Sequence, residues 1–342
     1  MSKPKILIVG CGAVGLAQGY HLSAAADITY LVRPGRSPAF QPPKKLYDYK
    51  TDALHTFDNY RLIESTSEVA NEDFYFVFDT LDGHTARSEG GRKTLEAVGA
   101  LIRDHTATFV VYDAIGLDMG EYYSTTMGIS KDRLILAASM LAHQPTKTIS
   151  VPPKANTGLI AQADLLFAHV YDNRALLVIN SQPKLTKKVV SLYEKLPTMR
   201  AKVMPGFLDS SGMMMLAMLQ LVAWNVDGYH PLPEFQRNKE LWSLMIKAQK
   251  EILTLPRYGW TGWLISFVLG PWATAKIMAG PAEDALPLPY HEFNAFHHGA
   301  KVAKQDVQVL EHLVAEGDRV GHKVEALREV CKRGGEALKK VV

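Results

Sequence analysis

Cysteine is scarce in this 342-residue chain: Cys11 and Cys331 are the only two, and they lie far apart in the sequence. So few cysteines exclude the disulfide framework of a small secreted domain and favour a reducing compartment. The residues before the first apolar run, Met1 to Lys5, lack the apolar core of a secretory signal. We therefore expect a cytoplasmic protein.

An excess of charge of one sign is lacking as well. The formal net charge is only +3, which is too small to favour nucleic acid or an anionic membrane as a partner. Metal-ligand spacing is missing too, because the sequence contains no His-x-x-x-His or Cys-x-x-Cys pair. These absences argue against a nucleic-acid partner, a membrane partner and a metal centre.

Long apolar runs of the kind that cross a membrane are also absent. Residues 212–226 are apolar almost throughout, but a span needs roughly 20 such residues, so we predict a buried helix there. Residues 260–280 are interrupted by Gly270 and Pro271 and carry Lys276. We expect this second stretch to lie either in the core or in a homodimer interface.

The most informative feature that is present lies at the N-terminus. A short apolar run, Lys5 to Val9, leads into Gly10-Cys-Gly12-Ala-Val-Gly15, and a helical pattern follows. Gly-x-Gly-x-x-Gly between a strand and a helix is typical of dinucleotide-binding folds, where the pyrophosphate meets the helix N-terminus. The predicted cofactor contacts in this turn are Gly10, Cys11, Gly12, Ala13, Val14 and Gly15.

The end of the second predicted strand indicates which dinucleotide binds. Enzymes that use NAD usually place an acidic residue there, for the ribose hydroxyls. This chain has Arg33 and Arg36 instead, and a guanidinium group pairs well with a phosphate. We therefore predict that the cofactor is NADP (NADPH), with both arginines on its 2′-phosphate.

Strand-like and helix-like segments alternate through the first half of the chain, and only helical patterns follow residue 207. The fold class is therefore α/β: an N-terminal Rossmann-type doubly wound sheet followed by an all-α C-terminal domain. We predict an NADP-binding domain over residues 1–205 and a helical substrate or dimerisation domain over residues 206–342. Residues 37–59 are expected to form a polar excursion, and residues 157–171 and 175–180 to form strands.

Two loops of the first domain should also contact the cofactor, because they follow buried strands at the same edge of a parallel sheet. One follows the third strand and contains Thr80 and Leu81. The other follows the fourth and contains Ile115 and Gly116.

This layout resembles the ketopantoate reductase (2-dehydropantoate 2-reductase) family. The likeness is strongest over residues 5–36, and residues 289–296 are similar to the family's Glu-Ile-Asp-x-Ile-Asn-Gly element, with Glu292 at the glutamate. A looser match runs from Glu251 to Tyr258 and Gly259. The resemblance implies NADPH as hydride donor, a 2-oxo acid as acceptor, and a helical domain like the C-terminal domain of 6-phosphogluconate dehydrogenase.

The resemblance also implies a catalytic lysine at the start of the buried helix, and this chain departs from it there. The lysine position falls on Met215, and Asn225 is two residues out of register with a family asparagine. Ketone reduction needs a proton as well as a hydride, so another group must supply it. The candidate catalytic residues are Glu292, Asn225, His230, Lys276 and His297, with Tyr258 as a further possible acid. We expect burial to lower the pKa of Lys276, and Asp209, Ser210 and Ser211 to cap the buried helix.

The leading functional hypothesis is an NADPH-dependent reductase of a small-molecule carbonyl substrate, either a 2-oxo acid or a bulkier, less anionic ketone. Its substrate should lie between the Ile115–Gly116 loop and the buried helix. Two alternatives stay open. One is an enzyme that kept the NADP scaffold, lost hydride transfer and now acts as an isomerase, cyclase or lyase. The other is a non-catalytic NADP sensor that regulates a partner.

Overall fold

The computed structural model describes residues 3–169 and 173–339. Its strands are β1 (Lys5–Val9), β2 (Asp27–Leu31), β3 (Lys44–Asp48), β4 (Ala53–Phe57), β5 (Arg61–Ile63), β6 (Phe76–Asp79), β7 (Phe109–Tyr112), β8 (Leu134–Ser139), β9 (Leu141–His143), β10 (Leu165–Ala168), β11 (Arg174–Ile179) and β12 (Arg200–Met204).

The α-helices are α1 (Ala13–Leu22), α2 (Gly83–Arg87), α3 (Glu89–Ile102), α4 (Met119–Met127), α5 (Thr157–Ile160), α6 (Pro183–Tyr193), α7 (Phe207–Ser210), α8 (Met213–Val226), α9 (Leu232–Arg237), α10 (Lys239–Leu253), α11 (Gly259–Val268), α12 (Pro271–Asp284), α13 (Tyr290–Phe296), α14 (Ala303–Arg319) and α15 (Glu325–Lys339). A π-helical turn, His297–Lys301, joins α13 to α14.

The main sheet has eight strands in the order β12-β11-β8-β7-β6-β1-β2-β5. The pairs from β8 to β5 are parallel, β11 is antiparallel to β8, and β12 is parallel to β11. Strand β1 shows why the sheet is covered on both sides: Ile6 and Ile8 enter one core, and Leu7 and Val9 enter the other. The predicted α/β fold class is thus confirmed.

A second sheet, in the order β4-β3-β10-β9, corrects two local predictions. Residues 37–59 are no mere excursion, because β3 and β4 pair as an antiparallel hairpin with Leu46 and Tyr47 buried. Residues 157–171 are not one strand either: α5 precedes β10, and Tyr171 lies outside the described residues. Pairing between β3 and β10, far apart in sequence, creates this sheet, and local composition does not reveal such pairing.

From Phe207 onward the described residues form helices and no strands. Helix α8 is buried among α10, α14 and α15, with Leu219 and Ala223 fully inaccessible, as its apolar sequence predicts. No helix within the described ranges combines the length and apolar character that crossing a membrane requires.

Residues 260–280 lie only partly in the core: Leu269, Thr274 and Met278 are buried, but much of the stretch is exposed. Helices α11 and α12 carry an exposed apolar patch, in which Trp260, Trp263, Phe267 and Trp272 are 75%, 54%, 61% and 76% exposed. Gly270 breaks the stretch into two helices, and each presents much of its apolar surface to solvent. A contiguous exposed apolar patch is typical of a surface that binds another molecule.

Helices α3 and α4 lie so close together that we expect the protein to need glycine at position 99. A Cβ on Gly99 would lie 2.5 Å from the Cα of Met127, so Gly99→Ala should lower the free energy of unfolding by about 1–3 kcal/mol. Gly90, in the same helix, has nothing within 4 Å of its Cβ position. Gly90→Ala is therefore the matched control, with unchanged or slightly raised stability. Urea unfolding of both variants measures this, and an equal loss in both would refute the packing argument.

Candidate functional site: the nucleotide edge of the main sheet

The Gly-rich turn, residues 10–15, has the geometry that its sequence predicts. Gly10 has a φ of +95°, a conformation that side chains disfavour, and a Cβ on Gly15 would overlap the carbonyl oxygen of Gly10. A Cβ on Gly12 would meet nothing within 4 Å. Helix α1 begins directly after Gly12, with no side-chain cap and no acidic residue in its first turn. The turn therefore offers free backbone N–H groups beside open space, which fits a pyrophosphate.

The loop after β2 presents two unpaired cations. Arg33 and Arg36 are exposed, and neither forms an ion pair within residues 3–169 and 173–339. The nearby carboxylate of Glu64 is already occupied, because it accepts hydrogen bonds from the N–H groups of Gly35 (2.8 Å) and Ser37 (2.9 Å). These bonds hold the pKa of Glu64 below its usual value. The two guanidinium groups are therefore available to an anionic group of a ligand.

The loops after β6 and β7 are joined by a residue of the helical part. The side-chain oxygen of Gln305, in α14, accepts hydrogen bonds from the N–H groups of Gly83 (2.5 Å) and Ile115 (3.4 Å). Thr80 donates its hydroxyl to the carbonyl of Val9 (2.8 Å), next to the Gly-rich turn. Gln305 therefore fixes the helices against the edge of the sheet where Leu81 and Gly116 also lie.

Asp79, the last residue of β6, is 1% exposed. Burial raises its pKa to about 7, and hydrogen bonds from the Tyr123 hydroxyl and the Leu81 N–H offset only part of that rise. A carboxyl of this kind can hold or release a proton near neutral pH.

A cavity of about 240 Å³ lies between the β7–α4 loop and the start of α8. This is where the sequence predicts the substrate. Its lining combines apolar and polar surface in similar proportion, and the polar side chains are those of Tyr112, Asp118, Asp209, Arg257 and Tyr258. The full lining is Tyr112, Ala114, Ile115, Gly116, Leu117, Asp118, Met119, Gly120, Leu136, Asp209, Met214, Met215, Arg257 and Tyr258. Met215, at the lysine position, is therefore a wall residue.

Glu292 and Asn225, two predicted catalytic residues, contact neighbouring elements outside this cavity. Glu292 accepts hydrogen bonds from the N–H and the hydroxyl (3.0 Å) of Ser150, so it pins the loop after β9 to α13. Asn225 is half-buried near the C-terminal end of α8, and its Oδ1 lies 3.8 Å from the Cβ position of Gly299 in the π-helical turn.

The other three predicted catalytic residues are dispersed. His230 is on the surface, with its Nδ1 3.3 Å from a carboxylate oxygen of Asp227. Lys276 is exposed, with its amine 5.2 Å from the centre of the Trp272 ring, so the burial that we expected for it is wrong. His297 is half-buried in the π-helical turn, its buried Nδ1 has no hydrogen-bond partner among the described residues, and desolvation holds its pKa well below the usual value.

The predicted helix cap is also wrong. Gly212, with a φ of +79°, occupies the N-cap of α8, and no side chain caps the helix. The hydroxyl of Ser211 is buried without a hydrogen-bond partner. A Cβ on Gly212 would lie 2.9 Å from the Tyr258 ring, so packing against that ring, rather than capping, determines the residue at this position.

Sequence reasoning missed Gln305, Glu64 and Arg257. Each of the three side chains contacts residues that are distant in the chain, and no local sequence motif identifies a residue of this kind. Arg257 could have drawn attention, since it directly precedes Tyr258.

No protein-family model and no curated protein sequence matches the chain. Solved structures do match. A 2-dehydropantoate 2-reductase from Geobacter metallireducens GS-15 is 14% identical, with a TM-score of 0.65, covering 97% of this chain and 99% of that one. A dimeric ketopantoate reductase from Staphylococcus aureus is 12% identical, with a TM-score of 0.58, covering 99% and 100%. A D-mandelate dehydrogenase in a ternary structure with NADH and anilino(oxo)acetate is 10% identical, with a TM-score of 0.64, covering 98% and 99%. The chain has the ketopantoate reductase fold, as the resemblance implies.

The buried Asp79 predicts a pH dependence of stability. Its folded pKa of about 7 exceeds the ordinary aspartate pKa of 3.8, so unfolding releases a proton when the pH lies between these two values. The free energy of unfolding should therefore fall as the pH rises from about 4 to about 7, with a slope of at most about 1.4 kcal/mol per pH unit from this group. Asp79→Asn should remove that contribution, whereas Asp104→Asn, at an exposed position, should retain it. Urea unfolding across this pH range measures the slope, and an unchanged slope in Asp79→Asn would contradict the assignment.

Proposed function

We propose that this chain is an NADPH-dependent reductase of a carbonyl compound. The observation that carries the proposal is the Gly-rich turn, whose free N–H groups and open space at Gly12 lie on the same sheet edge as two unpaired arginines. The matched structures support it at the level of fold, since their names describe reductases and a dehydrogenase.

NADP is favoured over NAD by the loop after β2. Its arginines form no ion pair among the described residues, and the nearby carboxylate of Glu64 is occupied by backbone N–H groups. The fold by itself does not decide the cofactor, because the D-mandelate dehydrogenase structure contains NADH. The choice of NADP therefore depends on Arg33 and Arg36.

The residues of this chain have separate tasks in the proposed reaction. The Gly-rich turn and the start of α1 bind the pyrophosphate, and the Ile115–Gly116 loop borders the cavity that holds the substrate. When bound, NADPH supplies the hydride. Gln305 keeps the loops after β6 and β7 in register with the helices, which preserves the distance between cofactor and substrate sites.

A second function, NADP binding without hydride transfer, is favoured by one observation. Met215 stands at the lysine position, and the described residues that line the cavity include no lysine to protonate a product alkoxide. In that case the protein binds NADPH and never consumes it, whether it catalyses a non-redox reaction or acts as a sensor.

The expected homodimer also stays a prediction, and the exposed patch on α11 and α12 is the surface that the dimer would use.

The cofactor assignment predicts a selective loss of affinity. Arg33→Ala with Arg36→Ala should raise the Kd for NADPH about 10- to 100-fold, because charge-assisted hydrogen bonds to the 2′-phosphate are lost. The Kd for NADH should change less than twofold. Arg237→Ala, at an exposed position in α9, is the control and should leave both values unchanged. Fluorescence titration of the reduced cofactors measures them, and equal weakening of NADPH and NADH would exclude the assignment.

The reductase assignment predicts NADPH consumption. A panel of ketones and 2-oxo acids should include substrates that accelerate the loss of absorbance at about 340 nm, with one alcohol formed per NADPH. Product analysis by mass spectrometry provides the count. If NADPH binds and no member of a broad panel is reduced, the non-redox function replaces this proposal.

A further inference from the structure

We propose that the Tyr258 hydroxyl is the group that protonates the carbonyl oxygen, and that the cavity takes a small, uncharged aldehyde or ketone. This inference rests on the proposed function and deepens it. It names a catalytic residue in place of the absent lysine and a substrate class that differs from the 2-oxo acids.

Tyr258 has the properties of a ligand-binding hydroxyl. The residue lines the 240 Å³ cavity beside Met215, it is 7% exposed, and its buried hydroxyl has no hydrogen-bond partner in the structure. Leaving a buried hydroxyl unpaired costs free energy, so native proteins usually retain one only where a ligand or water completes the bond. Burial raises the pKa of Tyr258 to about 12, so the hydroxyl carries its proton at neutral pH.

The position of Tyr258 is well fixed. It ends the short turn Pro256–Tyr258, and its ring packs against the backbone of Gly212 at the start of α8. The missing side chain of Gly212 leaves room for this ring, and Met214 and Met215 line the cavity together with Tyr258. Tyr258 therefore lines the same cavity as Met215, the position that the resemblance gives to the lysine, although the two residues come from different elements.

The charges around the cavity disfavour an anionic substrate. The only cation in its wall, Arg257, pairs with Asp118 (2.5 Å) and lies 3.9 Å from a carboxylate oxygen of Glu316. Asp209 adds another carboxylate, at an exposed position of the wall. A substrate carboxylate would therefore meet more negative than positive charge. The apolar part of the wall, with Met119, Leu136 and Met215, suits an apolar substituent, and the small volume limits the size of that substituent.

The step balances as a two-electron reduction. The carbonyl carbon gains the hydride, the C=O π pair becomes an oxygen lone pair, and that oxygen takes the proton of Tyr258. The tyrosinate then regains a proton from water. The products are an alcohol and NADP⁺, so no further oxidant or reductant is required.

The test uses Tyr258→Phe, which removes only the unpaired hydroxyl. With an uncharged ketone, kcat should fall about 100- to 1,000-fold, while the Kd for NADPH stays within twofold. The melting temperature of the cofactor-free protein should rise by about 2–4 °C, because a buried unpaired hydroxyl is removed. The control is Tyr193→Phe. Tyr193 is also buried, but its hydroxyl donates to Gln18 (2.6 Å), so this variant should lose stability and keep kcat.

Substrate class is tested with a matched pair, 3-methyl-2-butanone and 3-methyl-2-oxobutanoate. The unsubstituted protein should show at least tenfold higher kcat/KM with the ketone. Equal kcat in Tyr258→Phe, a fall in its melting temperature like that of Tyr193→Phe, or a preference for the oxo acid would each overturn this inference while leaving the reductase function intact. If the unsubstituted protein oxidises no NADPH with any carbonyl compound, the proposed function fails, and this inference fails with it.

Discussion

The contact between α1 and the main sheet is the constraint on which the rest of the site depends. Helix α1 lies so close to β1 and β2 that a Cβ on Gly15 would overlap the Gly10 carbonyl, and one on Gly19 would overlap the Tyr30 hydroxyl. That hydroxyl donates to the carbonyl of Gly15 (2.9 Å). The close packing places the N-terminus of α1 at the carboxyl edge of the sheet, where the arginine loop and the loops after β6 and β7 converge.

A second set of contacts fixes the helices to this edge. Gln305 accepts hydrogen bonds from both Gly83 and Ile115. The next residue, Asp306, places its carboxylate 2.7 Å from His298 Nδ1 in the π-helical turn. The start of α8 closes the cavity beside Ile115. In the proposed reductase, residues at the sheet edge therefore determine which cofactor binds. The helices that cover this edge determine which substrate binds.

The sequence was sufficient for features encoded over a few neighbouring residues. The Gly-rich turn, the apolar strands of the main sheet and the buried helix α8 were all predictable, because each depends on local periodicity or on a backbone requirement. The second sheet was not, since β3 and β10 meet across more than a hundred residues. The candidate site was hard to predict for the same reason. His230 and Lys276 have side chains that can donate a proton, but whether they are exposed depends on tertiary packing. Tyr258 was one of several candidate acids in the sequence, and only the structure, with its unpaired hydroxyl and the cavity, distinguishes it from the others.

The central claim is that the free N–H groups of the Gly-rich turn bind the pyrophosphate of NADPH. Calorimetric titration of NADPH into the unsubstituted protein and into Gly12→Val tests it most directly, because the Gly12 Cβ position has no protein atom within 4 Å and the substitution should leave the fold intact. We expect 1:1 binding to the unsubstituted protein and, in the folded variant, loss of most of the heat as the new side chain fills the phosphate space. Absence of heat in the unsubstituted protein, or unchanged binding in Gly12→Val, would contradict the account.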